Sequence, residues 1–177
     1  MKLKVVKLEE CGFSSALFGL SLNKNQPMEN MYNVALRLCD KDRGHNKFLE
    51  SCMTWWDITA PRYWWQEFDT YRVGVSKQSQ STMHTIFDTH LTQDHFDDII
   101  PETVLNNLNQ LYDTENLILL KNNLPEGFLQ RREVVMSYKV IRHINQQRAK
   151  HRLPHWQVFL KSVKEQLDHP ELIWKEK

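Results

Sequence analysis

Apolar and polar residues alternate at the start of the chain, which is the spacing of a β-strand. Residues 3–8 show this pattern and residues 16–22 repeat it, so the sequence predicts two strands in this region. From Pro27 onward the apolar positions recur at helical spacing, which predicts a helix. Its apolar positions are Met28, Met31, Tyr32, Ala35, Leu38 and Cys39.

The central part of the chain predicts a strand followed by a helix. Residues 51–58 favour a strand. Thr59 suits an N-cap and Pro61 the first helical turn, so we expect a helix that runs to about residue 71. The polar stretch over residues 76–82 and the acidic, histidine-rich stretch over residues 85–101 indicate loops or short turns.

The rest of the chain is predicted to be helical. A helix is expected over residues 103–112, and the short apolar run at 117–120 suits a helical extension. A long helix is expected over residues 128–150, and Pro154 opens a last one. The buried stripe of the long helix would be Val134, Val135, Tyr138, Ile141 and Ile144. These elements predict an α+β fold, a small and mostly antiparallel sheet with several helices, in a single domain over residues 1–177.

Charge and cysteine content narrow the possible partners and compartments. The formal net charge is +1, so any anion site must come from a local basic cluster, and nucleic acid is not expected as a partner. Three scattered cysteines without a CxxC pair suit reduced, buried thiols. No apolar stretch resembles a signal peptide or approaches the roughly 20 residues of a membrane-spanning helix. We therefore expect a cytoplasmic protein without membrane association.

Tryptophan is concentrated in one short window. Four of the six tryptophans are Trp55, Trp56, Trp64 and Trp65. Large aromatic side chains at this density predict a thick core, a pocket for a flat ligand or a subunit interface.

Four basic residues are candidates for an anion site: Arg72, Lys121, Lys139 and Arg148. Lys139 and Arg148 are nine positions apart, about two and a half helical turns, so a straight helix places them on different faces. They would then hold two ends of a long ligand, or two ligands. The charges alone favour an ordinary solvated helix face over an anion site.

The polar segment Ser76–Ser81 can offer hydroxyl and backbone N–H groups to a phosphate. It lacks the spacing of a Walker loop, and Gln78 replaces the second glycine of a nucleophile elbow. His90 and His95 match no common zinc spacing, so no metal site is expected.

The segment Ala60–Arg72, APRYWWQEFDTYR, resembles the flavin-dependent thymidylate synthase family. In that family an aromatic helix opened by Ala-Pro leads into an Arg-His-Arg signature. Arg72 matches its last arginine, whereas Thr70 and Tyr71 stand at the first arginine and the histidine. After one extra residue, Ser76 matches the first serine of the signature, Gln78 and Ser79 its Asn-Glu pair, and Ser81 its second serine.

The flanking segments extend this resemblance to about residues 45–160. Upstream, HNKFLE at residues 45–50 is similar to the family's His-x-x-x-Phe-Glu-His. Downstream, Leu124-Pro125 resembles the family's Leu-Pro before its long helix, and Lys121 matches an arginine just before it. Lys139 then matches an arginine in the helix, His143 an asparagine, and Arg148 the arginine that polarises the substrate uracil.

The resemblance implies a homotetramer that binds FAD at subunit interfaces. Family members reduce the flavin with NADPH and transfer a methylene group from methylenetetrahydrofolate to dUMP. By this resemblance Arg148 is the catalytic residue. The resemblance also implies that Gln78, Ser79, Ser81, Lys121, Arg148 and Glu67 bind the pyrimidine nucleotide. Arg72, Tyr71, Lys139 and His143 would contact the flavin cofactor.

Three functions remain open from the sequence. The first is an FAD-dependent enzyme that methylates or hydroxymethylates dUMP or a related pyrimidine nucleotide. The second is a catalytically inactive relative that binds or sequesters nucleotides, because Thr70 and Tyr71 remove a cation and an imidazole from the signature. The third is an unrelated RNA-binding protein that uses a basic helix with Arg142, Arg148, Lys150 and Arg152.

Overall fold

An antiparallel sheet lies at the centre of the computed structural model, which describes residues 1–23 and 25–175. In sheet order, the strands in this part of the chain are β1 Lys4–Cys11, β2 Met53–Pro61, β4 Leu129–Ser137 and β3 Val75–Ser79. Every neighbouring pair is antiparallel. This arrangement confirms the predicted α+β class.

Helices cover one face of the sheet and build a separate lobe. The α-helices are α1 Phe13–Leu22, α2 Met31–Leu38, α3 Arg62–Phe68, α4 Thr82–Thr85, α5 Glu102–Tyr112, α6 Leu117–Asn123, α7 Tyr138–Arg148 and α8 His155–Gln166. Short 3-10 turns lie at Met28–Asn30, Lys47–Glu50, Gln93–His95 and Pro170–Leu172. The helices predicted near residues 28–39, 103–112 and 154–167 are therefore confirmed. None of the helices in the described ranges has the length and apolar character needed to cross a membrane.

The strand predicted over residues 16–22 is wrong, because these residues form α1. Ala16 and Leu20, four residues apart, face the core of the protein. Phe18 and Leu22 are 56% and 65% exposed, so the apparent alternation mixes two faces of one helix. Gly12 precedes α1 at φ +91°, and a Cβ there would lie 1.9 Å from the Ser51 carbonyl oxygen. Only glycine fits this turn between β1 and α1.

The long helix predicted over residues 128–150 is two elements, β4 and α7. Val134 and Met136 are fully buried and two residues apart, which is strand periodicity. The strand ends at Ser137, whose hydroxyl accepts a hydrogen bond from the backbone N–H of Val140 and so caps α7. The β-branched pair Val134 and Val135 also favours a strand at this position.

Two further boundaries differ from the sequence prediction. Thr59 does not cap a helix, because it pairs with Lys4 and Arg131 in the sheet and β2 continues to Pro61. The polar segment predicted as a loop contains β3, a short edge strand that pairs only with β4. Its Lys77 faces the helical side of the sheet and forms an ion pair of 2.8 Å with Asp69. An alternating strand pattern would have an apolar residue at this inward-facing position, but the sequence has a lysine there.

The main core lies between the sheet and helices α3, α7 and α8. Trp56, Trp64, Trp65 and Trp156 are at most 1% exposed, so these indoles belong to the core and not to an open pocket. Cys39 and Cys52 are buried free thiols, as predicted, and burial raises the pKa of Cys52 to about 12. Cys11, in contrast, is exposed.

The edge of β1 is covered by a side chain from α8. The amide of Gln166 donates to the Val5 carbonyl at 3.0 Å, and its oxygen accepts from the Lys7 N–H at 2.8 Å. The pairing of β1 with β2 is also irregular between Lys7 and Glu9. The Gln166 amide thus replaces two of the backbone hydrogen bonds that another strand would make at this edge.

A second apolar cluster forms a lobe from residues 86–128. Phe96 and Leu120 are fully buried in it, together with Leu91, Leu108 and Phe128. The acidic segment before α5, predicted as loop or short turns, has that structure. Its Phe96 pairs with Phe128 in an isolated β-bridge.

Asp97 joins this lobe to the rest of the molecule. One carboxylate oxygen accepts from the backbone N–H of Lys2 at 2.8 Å. The other accepts from the Tyr63 hydroxyl at 2.7 Å and lies 3.0 Å from the His155 ring. Asp97 is 5% exposed and His155 4% exposed, so this junction is shielded from water. Hydrogen bonds in such a site are stabilising, and losing one partner leaves the others unpaired.

We predict that Asp97→Asn lowers the free energy of unfolding by about 3 kcal/mol, because an amide cannot accept all of these hydrogen bonds. Urea denaturation followed by tryptophan fluorescence measures the change. The matched control is Asp98→Asn, since Asp98 is exposed and, among the described residues, bonds only to the neighbouring N–H of Ile99. We expect that control to stay within about 0.5 kcal/mol of the wild type.

The difference in unfolding free energy between the wild type and Asp97→Asn should depend on pH. Burial disfavours the Asp97 carboxylate, but hydrogen bonds from Lys2, Tyr63 and His155 outweigh it, so the pKa lies below its ordinary value. A pKa that is lower in the folded state contributes stability above the unfolded value of about 3.9, and the contribution disappears as the pH falls through the folded pKa. A wild-type advantage that stayed constant down to about pH 2 would contradict this assignment.

Candidate functional site

A cleft of about 590 Å³ opens between the turn after α3 and the first turns of α7. We call it the α3–α7 cleft, and its volume is in the range of small-molecule sites. Tyr71 and Arg72 line one wall, and Lys139 and His143 line the other. The structure thus brings all four residues predicted to contact a cofactor into one cavity.

Gly74 gives the cleft its shape. Its φ of +72° lies in the left-handed region, where a residue with a side chain is strained. A Cβ at this position would also lie 3.1 Å from Cγ2 of Val140 on α7. Glycine therefore allows the turn after α3 to pass close to α7 before the chain enters β3.

Arg72 is the available cation of the cleft. It is exposed, and its guanidinium makes no hydrogen bond or ion pair with the described residues. Lys139, in contrast, donates to the side-chain oxygen of Asn46, which is fully buried. Asp42 and Glu50 also line the cleft, so its charge is mixed. Arg72 is therefore the cation of the cleft whose charge is not already engaged by a described residue.

Arg142 has a structural role below the cleft. Its guanidinium donates to the carbonyl oxygens of Cys39 at 2.9 Å and Asp40 at 3.0 Å. These carbonyls follow the C-terminal end of α2, where backbone acceptors lack helical partners. Arg142 is 9% exposed and therefore ties α7 to α2 in place of an ordinary helix cap.

Arg148, the predicted catalytic residue, lies at the C-terminal end of α7 and is held on three sides. Its Nε donates to the Tyr71 hydroxyl at 3.0 Å, and its Nη1 donates to Glu67 Oε2 at 3.2 Å. The centre of the guanidinium is 4.8 Å from the ring centroid of Trp156. The indole N–H of Trp156 donates to the same Glu67 oxygen at 2.7 Å. We call this group the Arg148 cluster.

The Arg148 cluster and the α3–α7 cleft meet at Tyr71. Tyr71 lines the cleft, and its hydroxyl donates to Gln147 at 2.9 Å while it accepts from Arg148. Lys139 lines the cleft, whereas Arg148 does not. This agrees with the prediction that the two cations lie on different faces of the helix.

The other residues predicted to bind a nucleotide lie apart from Arg148. Gln78 and Ser79 are on β3, Ser81 precedes α4, and Lys121 is on α6 in the second lobe. No hydrogen bond among the described residues connects any of them to Arg148. Gln78 lines a shallow depression on the open face of the sheet, beside Asp57 and Arg131. Their assignment stays a prediction, and a single chain does not assemble them with Arg148.

The four basic residues of the RNA-binding alternative do not share one helix, because α7 ends at Arg148 and both Lys150 and Arg152 lie beyond it. Arg131 and Arg132 lie on β4, and they form ion pairs with Asp57 and Asp69. Arg142 is buried and Arg148 is paired with Glu67. Within the described part of the chain, no group of three or more His, Cys, Asp or Glu side chains is placed to hold a metal ion.

Three residues of the site were not anticipated from the sequence. Asn46 holds Lys139, Arg142 caps α2, and Gln147 bonds Tyr71. Asn46 and Gln147 carry no periodic signal. Arg142 is adjacent to the buried Ile141, and this position in the stripe was the only indication that it faces inward.

Comparison with solved structures shows that the fold is that of flavin-dependent thymidylate synthases. Two crystal structures of ThyX from Helicobacter pylori, both with FAD and dUMP, align with TM-scores of 0.80 and 0.82 at 16% identity. They cover 97% and 96% of this chain and 97% of each ThyX chain. The UMP/dUMP methylase PolB from Streptomyces cacaoi, bound with 5-Br dUMP, aligns with a TM-score of 0.68 at 9% identity, covering 93% of this chain and 89% of PolB. The sequence itself matches no family model and no curated protein.

We predict that Arg142→Met lowers the free energy of unfolding by about 2–3 kcal/mol, because the carbonyls of Cys39 and Asp40 lose a charged donor. Thermal unfolding followed by circular dichroism measures the effect. Arg37→Met is the matched control, since Arg37 is exposed on α2. If both variants unfolded at the same temperature, Arg142 would not be the link between α7 and α2.

Proposed function

We propose that this protein is an FAD-dependent, thymidylate synthase-like enzyme. It would methylate or hydroxymethylate dUMP or a related pyrimidine nucleotide, with reduced flavin, and with NADPH and methylenetetrahydrofolate as co-substrates. The observation that carries the proposal is the meeting of Tyr71, Arg72, Lys139 and His143 in one cleft of a ThyX-like fold. Tyr71 and Arg72 come from one part of the sequence, and Lys139 and His143 come from a distant part. Each part resembles the same family, and the resemblance predicted that all four residues contact the cofactor.

The α3–α7 cleft suits a flavin nucleotide by its chemistry. Val73 and Val140 give it apolar walls, and the Tyr71 ring adds an aromatic surface for a planar group. Arg72 offers a phosphate a guanidinium that pairs with none of the described residues, and Lys139 offers a second positive charge. His143 lies on the same wall as Lys139. When bound, the flavin supplies the electrons that convert the transferred one-carbon unit to a methyl group.

Arg148 is the residue proposed to act on the nucleotide. A guanidinium hydrogen-bonded to a pyrimidine oxygen stabilises negative charge that develops on the ring during attack on the one-carbon donor. Its contacts with Tyr71, Glu67 and Trp156 fix this group before any ligand arrives. Glu67, which the resemblance assigned to the nucleotide, would therefore act through Arg148.

A second copy of the chain would complete the nucleotide site. Gln78, Ser79, Ser81 and Lys121 offer donors for the nucleotide phosphate, but they lie apart from Arg148 within one chain. In the proposed homotetramer, the β3 region of one copy would lie near the Arg148 cluster of another. This arrangement would explain why the candidate residues divide into two groups.

A catalytically inactive relative that binds or sequesters nucleotides is the second candidate. Thr70 and Tyr71 stand where the family signature carries arginine and histidine. In addition, Arg148 already uses two of its donor nitrogens within the chain. Colourless protein that FAD does not reconstitute, but that dUMP stabilises against heat, would favour this candidate over the flavoenzyme.

We predict that the purified protein binds FAD and shows flavin absorbance bands, and that Arg72→Ala weakens FAD binding about tenfold or more. The reason is the loss of a charge-assisted hydrogen bond to the cofactor. Titration of FAD into the apoprotein measures the affinity. Arg37→Ala, at an exposed position on α2, should bind FAD like the wild type. Equal weakening in both variants would show that only general charge matters.

We also predict that Arg148→Ala abolishes stabilisation by dUMP. Saturating dUMP should raise the melting temperature of the wild type by about 5 °C, as expected at roughly a hundredfold excess over the dissociation constant. Differential scanning fluorimetry with and without dUMP measures the shift. Lys164→Ala is the control, because Lys164 is exposed on α8. An unchanged dUMP shift in Arg148→Ala would refute the role of this arginine.

A further inference from the structure

One nitrogen of the Arg148 guanidinium, Nη2, is not used by the described residues, and the other contacts of the side chain fix the direction in which it points. Its Nε and Nη1 are used by Tyr71 and Glu67, at 3.0 and 3.2 Å. The Trp156 ring lies 4.8 Å from its centre. Nη2 makes no hydrogen bond with the described residues. Because a guanidinium is planar and rigid, fixing two of its nitrogens also fixes the direction of the third.

Tyr71 is well placed to control this direction. It is 8% exposed, so its hydroxyl cannot exchange partners freely with water. The hydroxyl accepts from Arg148 and donates to Gln147 Oε1, so both of its roles are used within the protein. The family histidine at this position is expected to serve the flavin side. Here the hydroxyl contacts Arg148, while the centroid of the Tyr71 ring lies 6.1 Å from that of His143, a residue of the cleft wall.

We infer that Tyr71 is a positioning residue, which with Glu67 orients Arg148 so that Nη2 points to the pyrimidine nucleotide. This inference rests on the proposed function for the identity of the ligand. The resemblance implies that Tyr71 contacts the flavin, whereas this inference gives its hydroxyl the role of orienting Arg148. The phenol hydroxyl is the group that orients Arg148, whereas the ring supports the cleft wall.

The first test is a double-mutant cycle read out by dUMP affinity. Tyr71→Phe keeps the ring and removes the hydroxyl, so dUMP binding should weaken about tenfold, while FAD binding should change less than about twofold. In the Arg148→Ala background the same substitution should alter dUMP affinity less than about twofold, because the residue it acts through is gone. The Arg148→Ala background should show no thermal stabilisation at the dUMP concentrations of the melting assay, so its residual affinity is measured by calorimetric titrations extended to millimolar dUMP.

The matched control is Tyr112→Phe in the second lobe. Tyr112 is a half-buried tyrosine whose hydroxyl, like that of Tyr71, donates one hydrogen bond, here to the Phe87 carbonyl at 2.7 Å. Its loss should leave dUMP and FAD affinity unchanged. If Tyr71→Phe weakened dUMP binding equally in both backgrounds, or weakened FAD binding more than dUMP binding, Tyr71 would not act through Arg148.

The second test needs no ligand and separates this inference from the proposed function. The Arg148 Nε–H should give a slowly exchanging signal in nitrogen-15 NMR of the wild type, because it is bonded to a buried oxygen. Tyr71→Phe should abolish that protection, and Tyr112→Phe should keep it. Unchanged protection in Tyr71→Phe overturns the inference. Protection lost as expected, in a wild-type protein that binds no dUMP, upholds the orientation of Arg148 but overturns its proposed use on a nucleotide.

Discussion

The packing of aromatic rings between α3 and α8 is the interaction on which the site depends. The ring centroids of Trp64 and Trp156 are 5.0 Å apart, and Phe68 is stacked on Trp156 with an interplanar angle of 13°. Because α3 has only seven residues, it is too short to be stable alone and needs this packing. The same contact places Glu67 beside the indole N–H of Trp156. The core thus sets the geometry of the polar cluster above it.

Much of the fold could be predicted from local patterns, and the errors have physical causes. In each of the helices beginning near residues 28, 103 and 154, the apolar positions face a single apolar cluster, so the helical periodicity is clear in the sequence. Helix α1 misled the prediction because Phe18 and Leu22 are apolar but exposed. Strand β3 was missed because its inward residue is Lys77, whose partner Asp69 no local pattern reveals. The division of residues 128–150 depended on Ser137, a single capping residue.

The candidate site could be predicted only in part. The resemblance implied a shared cofactor role for Tyr71, Arg72, Lys139 and His143. The structure places all four residues on one cleft. Spacing alone had left these cations open to interpretation as a solvated helix face. The engagement of Arg148 by Glu67 and Tyr71 joins residues about 80 positions apart, at separations of 81 and 77, and such contacts follow from the tertiary fold alone. For the same reason, the burial of Arg142 against α2 had no local signal beyond its neighbour Ile141.

The side chain of Gln166 has a consequence for how copies of the chain associate. An open strand edge offers unpaired N–H and C=O groups, and such edges join sheets into aggregates. On β1 the Gln166 amide already uses the Val5 carbonyl and the Lys7 N–H, as a further strand would. The opposite edge, β3, is five residues long and carries the inward-facing charge of Lys77, which also discourages pairing. Both borders therefore disfavour the strand pairing by which sheets join edge to edge into fibrils.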